Sequence, residues 1–363
     1  MRLDHAEPAG PDARALSPNI SYAQASFAYE TPVAAEQQRT LALIGTGAGG
    51  GFYFDVFRSR ASGTGANGAP SDEFHDYLYH NVGDSLALSG VQQPLQPTNK
   101  LAPDGENFLK GYGYFKNPRL VAAPRENAFC VTFTVPALQA KAAAGGAPHS
   151  QMNVFMPPVQ NAERLIFAVE APPSHTGRDS MPARINEMPM PTLIVRQKGE
   201  AWKRPFVAVY EPVEGDRESG VKSVRYLNPD AADDSLVACV VSGRGFEARI
   251  ALSDVPGRVH TIDDGASFQG VLCVRVSKVS TAGSDADDEI YLGQCAKYET
   301  PRIVIESVSG APVDVSLRSG LYSASGPIRI TDRKTGKTLE LPAASDARSG
   351  GLHPPDAREA RAR

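Results

Sequence analysis

Between residues 20 and 342 apolar side chains alternate with polar ones or gather in short runs. Gly, Pro, Asn or Asp punctuate these runs about every ten residues, the spacing of a β-sandwich. Segments of this kind include Leu41–Ile44, Phe52–Phe57, Ala128–Val135, Leu165–Val169, Thr192–Arg196, Phe206–Tyr210, Leu236–Val241, Phe246–Ala251, Gly270–Val276 and Val313–Leu317. The pattern predicts an all-β chain. A large antiparallel β-sandwich covers residues 20–261, and residues 262–342 form either closing strands or a small C-terminal β-sandwich. One segment, Pro136–Ala144, reads as a short helix ending at Gly145-Gly146. Residues 1–19 and 343–363 are rich in Ala, Pro, Asp and Arg without periodicity, and are expected to be disordered. Loops are expected at 87–110 and 171–190.

Composition supports this picture. Gly (33) and Pro (29) are abundant enough to favour many turns over long helices. At 41% apolar and 21% charged the chain is globular. A net charge of −4 argues against a nucleic-acid partner, and an anionic ligand would need a local cluster of Arg or Lys. Cys130, Cys239, Cys273 and Cys295 lack CxxC spacing, and the first three lie in apolar strand-like runs, so buried free thiols are expected. No apolar run reaches the roughly 18 residues of a membrane span, and the N-terminus lacks the apolar core of a signal peptide. Read literally, the chain is expected to be cytoplasmic.

The densest candidate chemistry lies in Phe74–His80, FHDYLYH. On a strand, His75, Tyr77 and Tyr79 share one face while Asp76, Leu78 and His80 share the other. The two histidines then diverge, which disfavours a shared metal ion, although Asp55 on the neighbouring strand could orient one of them. A polar face packing on another domain and a sugar-contacting or catalytic role are both open, since tyrosine offers a stacking ring and a hydroxyl. The glycine-rich Gly45–Gly51 precedes a strand and lacks a Gly-Lys-Ser/Thr, so it reads as a hairpin rather than a phosphate loop. Asp285–Glu289 reads as a solvated hairpin tip. Arg196, Lys198, Lys203 and Arg204, around the single Trp202, form the densest local positive charge and the candidate contact for an acidic glycan. An aromatic anchor in a solvated hairpin is the structural counterpart of that reading.

Several segments taken in order resemble the β-domain of heparinase II/III-like polysaccharide lyases. They are Arg39–Ile44 (RTLALI), Phe52–Arg58 (FYFDVFR), Glu73–His80, Met152–Pro158 (MNVFMPP), Ile185–Pro212, and Gly270–Val276 with Ile290–Cys295. The resemblance spans roughly residues 20–342. It implies β-elimination on acidic polysaccharides, which requires a neutralised uronate carboxylate, a base for the adjacent C–H proton and an acid for the leaving oxygen. In that family an N-terminal helical toroid supplies catalytic Asn, His and Tyr. HxD-like, DPG-like and AHNT-like segments there hold a metal, and none of the three occurs in this sequence. The resemblance therefore carries over no catalytic or metal residue, and no cofactor is expected.

The resulting expectation is the β-sandwich portion of such a lyase, truncated or half of a split enzyme, inactive alone and partnered by a helical toroid. If an N-terminal half is missing, the location becomes periplasmic or secreted. His75, Tyr77, Tyr79 and His80 stand as weak catalytic candidates, and an exposed apolar face is expected to involve Phe52, Phe54, Tyr77 or Tyr79. The alternative is a stand-alone carbohydrate-binding or structural module.

Overall fold

A computed structural model describes residues 1–10, 13–29, 35–47, 50–62, 73–102, 107–135, 150–159, 161–173, 190–215, 217–227, 235–262, 265–278, 289–318 and 321–343. The architecture is all-β, built from antiparallel sheets, as the alternating pattern predicts. Two compact units divide the chain. The first holds residues 1–5, 23–43 and 51–220, and the second holds 6–22, 44–50 and 221–363.

The strands of the N-terminal part are β1 (Arg2–Glu7), β2 (Ile20–Tyr29), β3 (Ala35–Gly47), β4 (Gly50–Ala61), β5 (Phe74–His80), β6 (Ser85–Ser89) and β7 (Gln96–Pro97). A 3-10 turn over Asn107–Tyr114 precedes β8 (Lys116–Ala122), β9 (Phe129–Val135), β10 (Ser150–Met156), β11 (Arg164–Ala171), β12 (Met190–Lys198) and β13 (Ala201–Glu214). They form an eight-stranded sheet, β1-β2-β3-β4-β13-β10-β9-β6, and a five-stranded sheet, β5-β12-β11-β8-β7.

Phe129, Val131 and Phe133 of β9, Val154 and Met156 of β10, and Phe206 and Tyr210 of β13 pack with Ile166, Leu193, Val195 and Tyr77 in one core. Each such buried side chain contributes about 1.5–3 kcal/mol. The opposite face of the five-stranded sheet is also covered: Phe167, Val169 and Ile194 pack with Leu101, Tyr112 and Phe115. Burial on both faces explains why β11 and β12 read as nearly continuous apolar runs instead of alternating ones.

The second unit contains β14 (Val221–Tyr226), β15 (Leu236–Gly243), β16 (Phe246–Ser253), β17 (His260–Thr261), β18 (Ser267–Gln269), β19 (Leu272–Lys278) and β20 (Glu289–Cys295). It continues with β21 (Lys297–Glu299), β22 (Ile303–Ser307), β23 (Val313–Arg318), β24 (Leu321–Ala324), β25 (Ile328–Asp332) and β26 (Thr338–Leu341). A seven-stranded sheet, β14-β15-β16-β19-β20-β23-β24, accompanies a six-stranded one, β17-β18-β21-β22-β25-β26. Val240, Ala251, Cys273, Leu292 and Val315 of the first share a core with Phe268, Tyr298, Ile305 and Ile328 of the second. Gly293 of β20 faces Tyr22, whose hydroxyl would lie 2.5 Å from any Cβ placed there, so only glycine fits.

Several expectations change. Residues 1–19 are not without order: Arg2–Glu7 form a strand at the edge of the eight-stranded sheet, where Asp4 accepts a hydrogen bond from Ser26 of β2. Backbone pairing supplies the order that composition does not advertise. The compact units divide after Gly220 rather than near residue 262, because β16 pairs with β19 and ties the strands after 221 into one sheet. Phe52, Phe54 and Tyr77 are 1%, 1% and 2% exposed, so they form no open apolar face. The cysteines are free, and Cys239, Cys273 and Cys295 are buried. The expected helix at 136–144, most of the 171–190 loop and the tail from 344 lie outside the described residues.

Candidate functional site

Strand β5 pairs antiparallel with β12, with Tyr77 opposite Val195 and Asp76 opposite Arg196. The alternation read from the sequence holds. His75, Tyr77 and Tyr79 turn toward the eight-stranded sheet, where His75 Nδ1 meets Ser59 Oγ at 2.8 Å. Tyr77 donates its hydroxyl to Asp55 at 2.6 Å and meets the Tyr210 hydroxyl, and the Tyr79 ring packs on Phe133 and Tyr210. Asp55 is held a second time by Arg39, through Nε at 2.9 Å and Nη2 at 2.6 Å. Asp55 therefore orients Tyr77 and Arg39. Burial, reinforced by the Asp55 carboxylate, pushes the Tyr77 and Tyr210 hydroxyls well above the ordinary tyrosine range, and burial alone raises Tyr79. These phenols stay neutral near pH 7 and are poor bases.

The other face of β5 carries a second polar cluster. Arg196 donates Nε and Nη2 to the two Asp76 oxygens at 2.8 and 2.7 Å, and Tyr112 donates to the same carboxylate at 2.7 Å. The guanidinium lies 3.9 Å from the Phe74 ring centroid and 5.3 Å from that of Phe167. Arg196 is 7% exposed. It is consequently removed from the proposed cationic cluster, because the buried carboxylate takes its charge. Lys198, Lys203 and Arg204 remain exposed around the β12–β13 hairpin, whose turn has Gly199 at φ +76°. There Glu200 accepts from the Trp202 and Lys203 amides. Trp202 is half-buried under Arg60, whose guanidinium stands 4.2 Å above its ring. The aromatic anchors the hairpin while three cations face solvent.

His80 differs from its neighbours. It is exposed at the end of β5, its Nδ1 lies 2.8 Å from Thr192 Oγ1, and partial burial lowers its pKa below 6.5. A neutral imidazole fixed through Nδ1 can accept a proton. A further surface lies on the face of β3 and β4 that carries Arg39: Leu41, Leu43 and Tyr53 are 42%, 43% and 37% exposed. Sequence reading took Leu41–Ile44 as an apolar strand, and the exposure of its odd positions carries no local signal. A pocket of about 140 Å³ beside Arg125, Phe129, Glu163 and Arg164 is too small for a sugar chain.

No family model matches the chain. Over 266 residues it is 29% identical to the endo-acting ulvan lyase of Formosa agariphila, a match covering 68% of this chain and 30% of that enzyme. The homology is thus with a polysaccharide lyase, and the chain spans less than a third of that relative's length.

Proposed function

We propose that this chain forms the β-sandwich part of a heparinase II/III-like lyase that cleaves acidic polysaccharides by β-elimination. The observation that carries the reading is the 266-residue similarity to an ulvan lyase, in a chain whose described strands form four antiparallel sheets. Among the four catalytic candidates, His80 suits proton abstraction: it is exposed, neutral and oriented by Thr192. His75, Tyr77 and Tyr79 set the β5 backbone that presents it. Lys198, Lys203 and Arg204 with Trp202 serve as a peripheral contact for the anionic chain. Groups that neutralise the uronate and protonate the leaving oxygen come from a helical part outside the aligned stretch.

The test is incubation with ulvan, alginate and heparan sulfate while following the ultraviolet absorbance of the unsaturated product. The expected result is no turnover by this chain alone and turnover when the helical part is supplied. Sustained turnover by the chain alone overturns the need for a partner. Absence of product with the helical part supplied overturns the lyase reading. A second reading, a glycan-binding module, is favoured by the commitment of Tyr77 and Arg196 to internal partners and by the exposed Leu41, Leu43 and Tyr53.

A further inference from the structure

Tyr53 of β4 stands opposite Tyr210 of β13, and cross-strand partners share a face. Tyr210 belongs to the core beneath the five-stranded sheet, packed on Tyr79 of β5, whereas Tyr53, one strand further out, is open. Arg39 and Gln37 of β3 bond to Asp55 and Ser59 of β4, so the odd positions of both strands line this same face. Leu41 and Leu43 follow Arg39 at alternate positions and are open like Tyr53, while Thr40, Ala42 and Ile44 between them are buried. On the far side of β3, Gln24 of β2 turns to the buried face and bonds Thr40, so the exposed Ala23 turns to the open one. Its small side chain keeps that flank low. The result is a ledge about 13 Å long from Arg39 to Leu43, at roughly 3.4 Å per residue. Strand β3 lies inside the sheet, between β2 and β4, so a sheet edge does not account for the exposure.

Arg39 gives the ledge its chemistry. Asp55, whose side chain is fully buried, takes Nε and Nη2 along one edge of the guanidinium. The remaining hydrogens of Nη1 and Nη2 form the other edge, which has no hydrogen-bond partner among the described residues, and 45% of the Arg39 side chain is exposed. Arg196, by contrast, gives its Nη1 to the Lys100 carbonyl and is sealed from solvent. Two N–H groups held in one plane match a carboxylate, and Asp55 fixes that plane before any ligand arrives. Asp55 also offsets much of the charge, so the fork acts through directed hydrogen bonds more than through a long-range field. Tyr53, Leu41 and Leu43 supply the apolar surface on which a sugar ring stacks. A free fork beside an aromatic ledge, in a chain similar to a polysaccharide lyase, fits an acidic sugar better than a protein surface.

We propose that this ledge is a subsite for a uronate-bearing polysaccharide, with Arg39 holding a sugar carboxylate and Tyr53 stacking on a ring. The inference rests on the polysaccharide reading above, but its readout is binding rather than cleavage. Affinity electrophoresis of the full chain in gels containing alginate or ulvan, with carboxyl-reduced alginate as control, tests it. Wild-type protein is retarded by the acidic polymers and much less by the reduced one. Tyr53→Ala weakens binding about threefold or more, the scale of one aromatic contact. Arg39→Lys keeps a cation for Asp55 but removes the fork, and weakens binding about tenfold or more. Circular dichroism confirms the fold of both. If Arg39→Lys fails to fold, Tyr53→Ala on the open face decides, with reduced retardation expected.

No retardation of wild type, equal retardation by the carboxyl-reduced polymer, or unchanged retardation of either folded variant overturns the proposal. So does a dimer that Tyr53→Ala abolishes in the absence of any retardation, which assigns the face to a second copy of the chain. Retardation that the variants lose, with no lyase activity once the helical part is supplied, keeps the ledge and removes the enzyme. Lyase activity with variant-insensitive binding does the reverse.

Discussion

Arg196 and Asp76 stand opposite each other on β12 and β5 and share two hydrogen bonds of 2.8 and 2.7 Å, with side chains only 8% and 6% exposed. A buried pair of this kind tolerates loss of one partner poorly, since the other charge remains desolvated. Arg196→Met is expected to destabilise the chain by about 3–5 kcal/mol. Urea unfolding measures this. Native-like stability would return Arg196 to the list of glycan contacts.

Tyr77 tests the inner cluster. Tyr77→Phe removes the hydroxyl shared by Asp55 and Tyr210 but leaves Asp55 paired with Arg39. The expected loss is about 1–2 kcal/mol, and Asp55→Asn is expected to cost more because it weakens the Arg39 contacts as well. Chemical denaturation of both variants checks the order. A catalytic Tyr77 would instead show a fall in turnover with stability unchanged.

Tyr77 and Tyr210 are raised above the ordinary 10.0 by burial and by Asp55, and Tyr22 and Tyr291 by burial and by Asp314. In the unfolded chain these phenols ionise near 10, whereas in the folded chain they keep their protons. The unfolded state then binds fewer protons, so the contribution of these phenols is complete below pH 10 and declines as pH rises beyond it. Denaturant midpoints measured from pH 8 to 11 are expected to begin falling near 9.0, where the Cys130, Cys239 and Cys295 thiols, also raised by burial, ionise in the unfolded chain, and to fall more steeply above about 10. A flat profile would show that these hydroxyls ionise freely in the fold.

His80 is the residue whose change separates chemistry from scaffold. If the lyase reading holds, His80→Gln is expected to lower kcat of the chain supplied with its helical part by about 10²–10⁴, with the melting temperature nearly unchanged. A pH–rate profile with a rising limb below 6.5 accompanies this in the wild type, since burial lowers the imidazole pKa. Full activity in the variant would reduce His80 to a surface residue.

At the hairpin tip, Lys203→Ala/Arg204→Ala is expected to lower retention on an immobilised acidic polysaccharide at low salt, and the difference from wild type is expected to vanish as salt screens the contacts. Both side chains are exposed, and Glu200 lies beside the turn. Column retention across a salt series checks this, and unchanged retention would exclude the tip as a contact.

The faces of β5 were legible because period-two alternation is local: His75, Tyr77 and Tyr79 fall on one side whatever β5 pairs with. The consequence for Arg196 was not legible. Its partner Asp76 lies 120 residues away, and only sheet register brings them together. The dense run around Lys203 drew attention that its structure divides, since Arg196 is buried while Lys198, Lys203 and Arg204 are exposed. Strand β1 was hidden because its Ala- and Pro-rich surroundings look disordered until β2 offers a backbone to pair with.

The Arg196–Asp76 bond also has a consequence for how the chain finds its fold. Sliding β5 along β12 by one residue would turn Asp76 toward the apolar core and strand a guanidinium among Phe74 and Phe167. The mismatch is severe enough that the two strands recognise each other in a single alignment. The pair thus works as a lock and key for assembly of the five-stranded sheet.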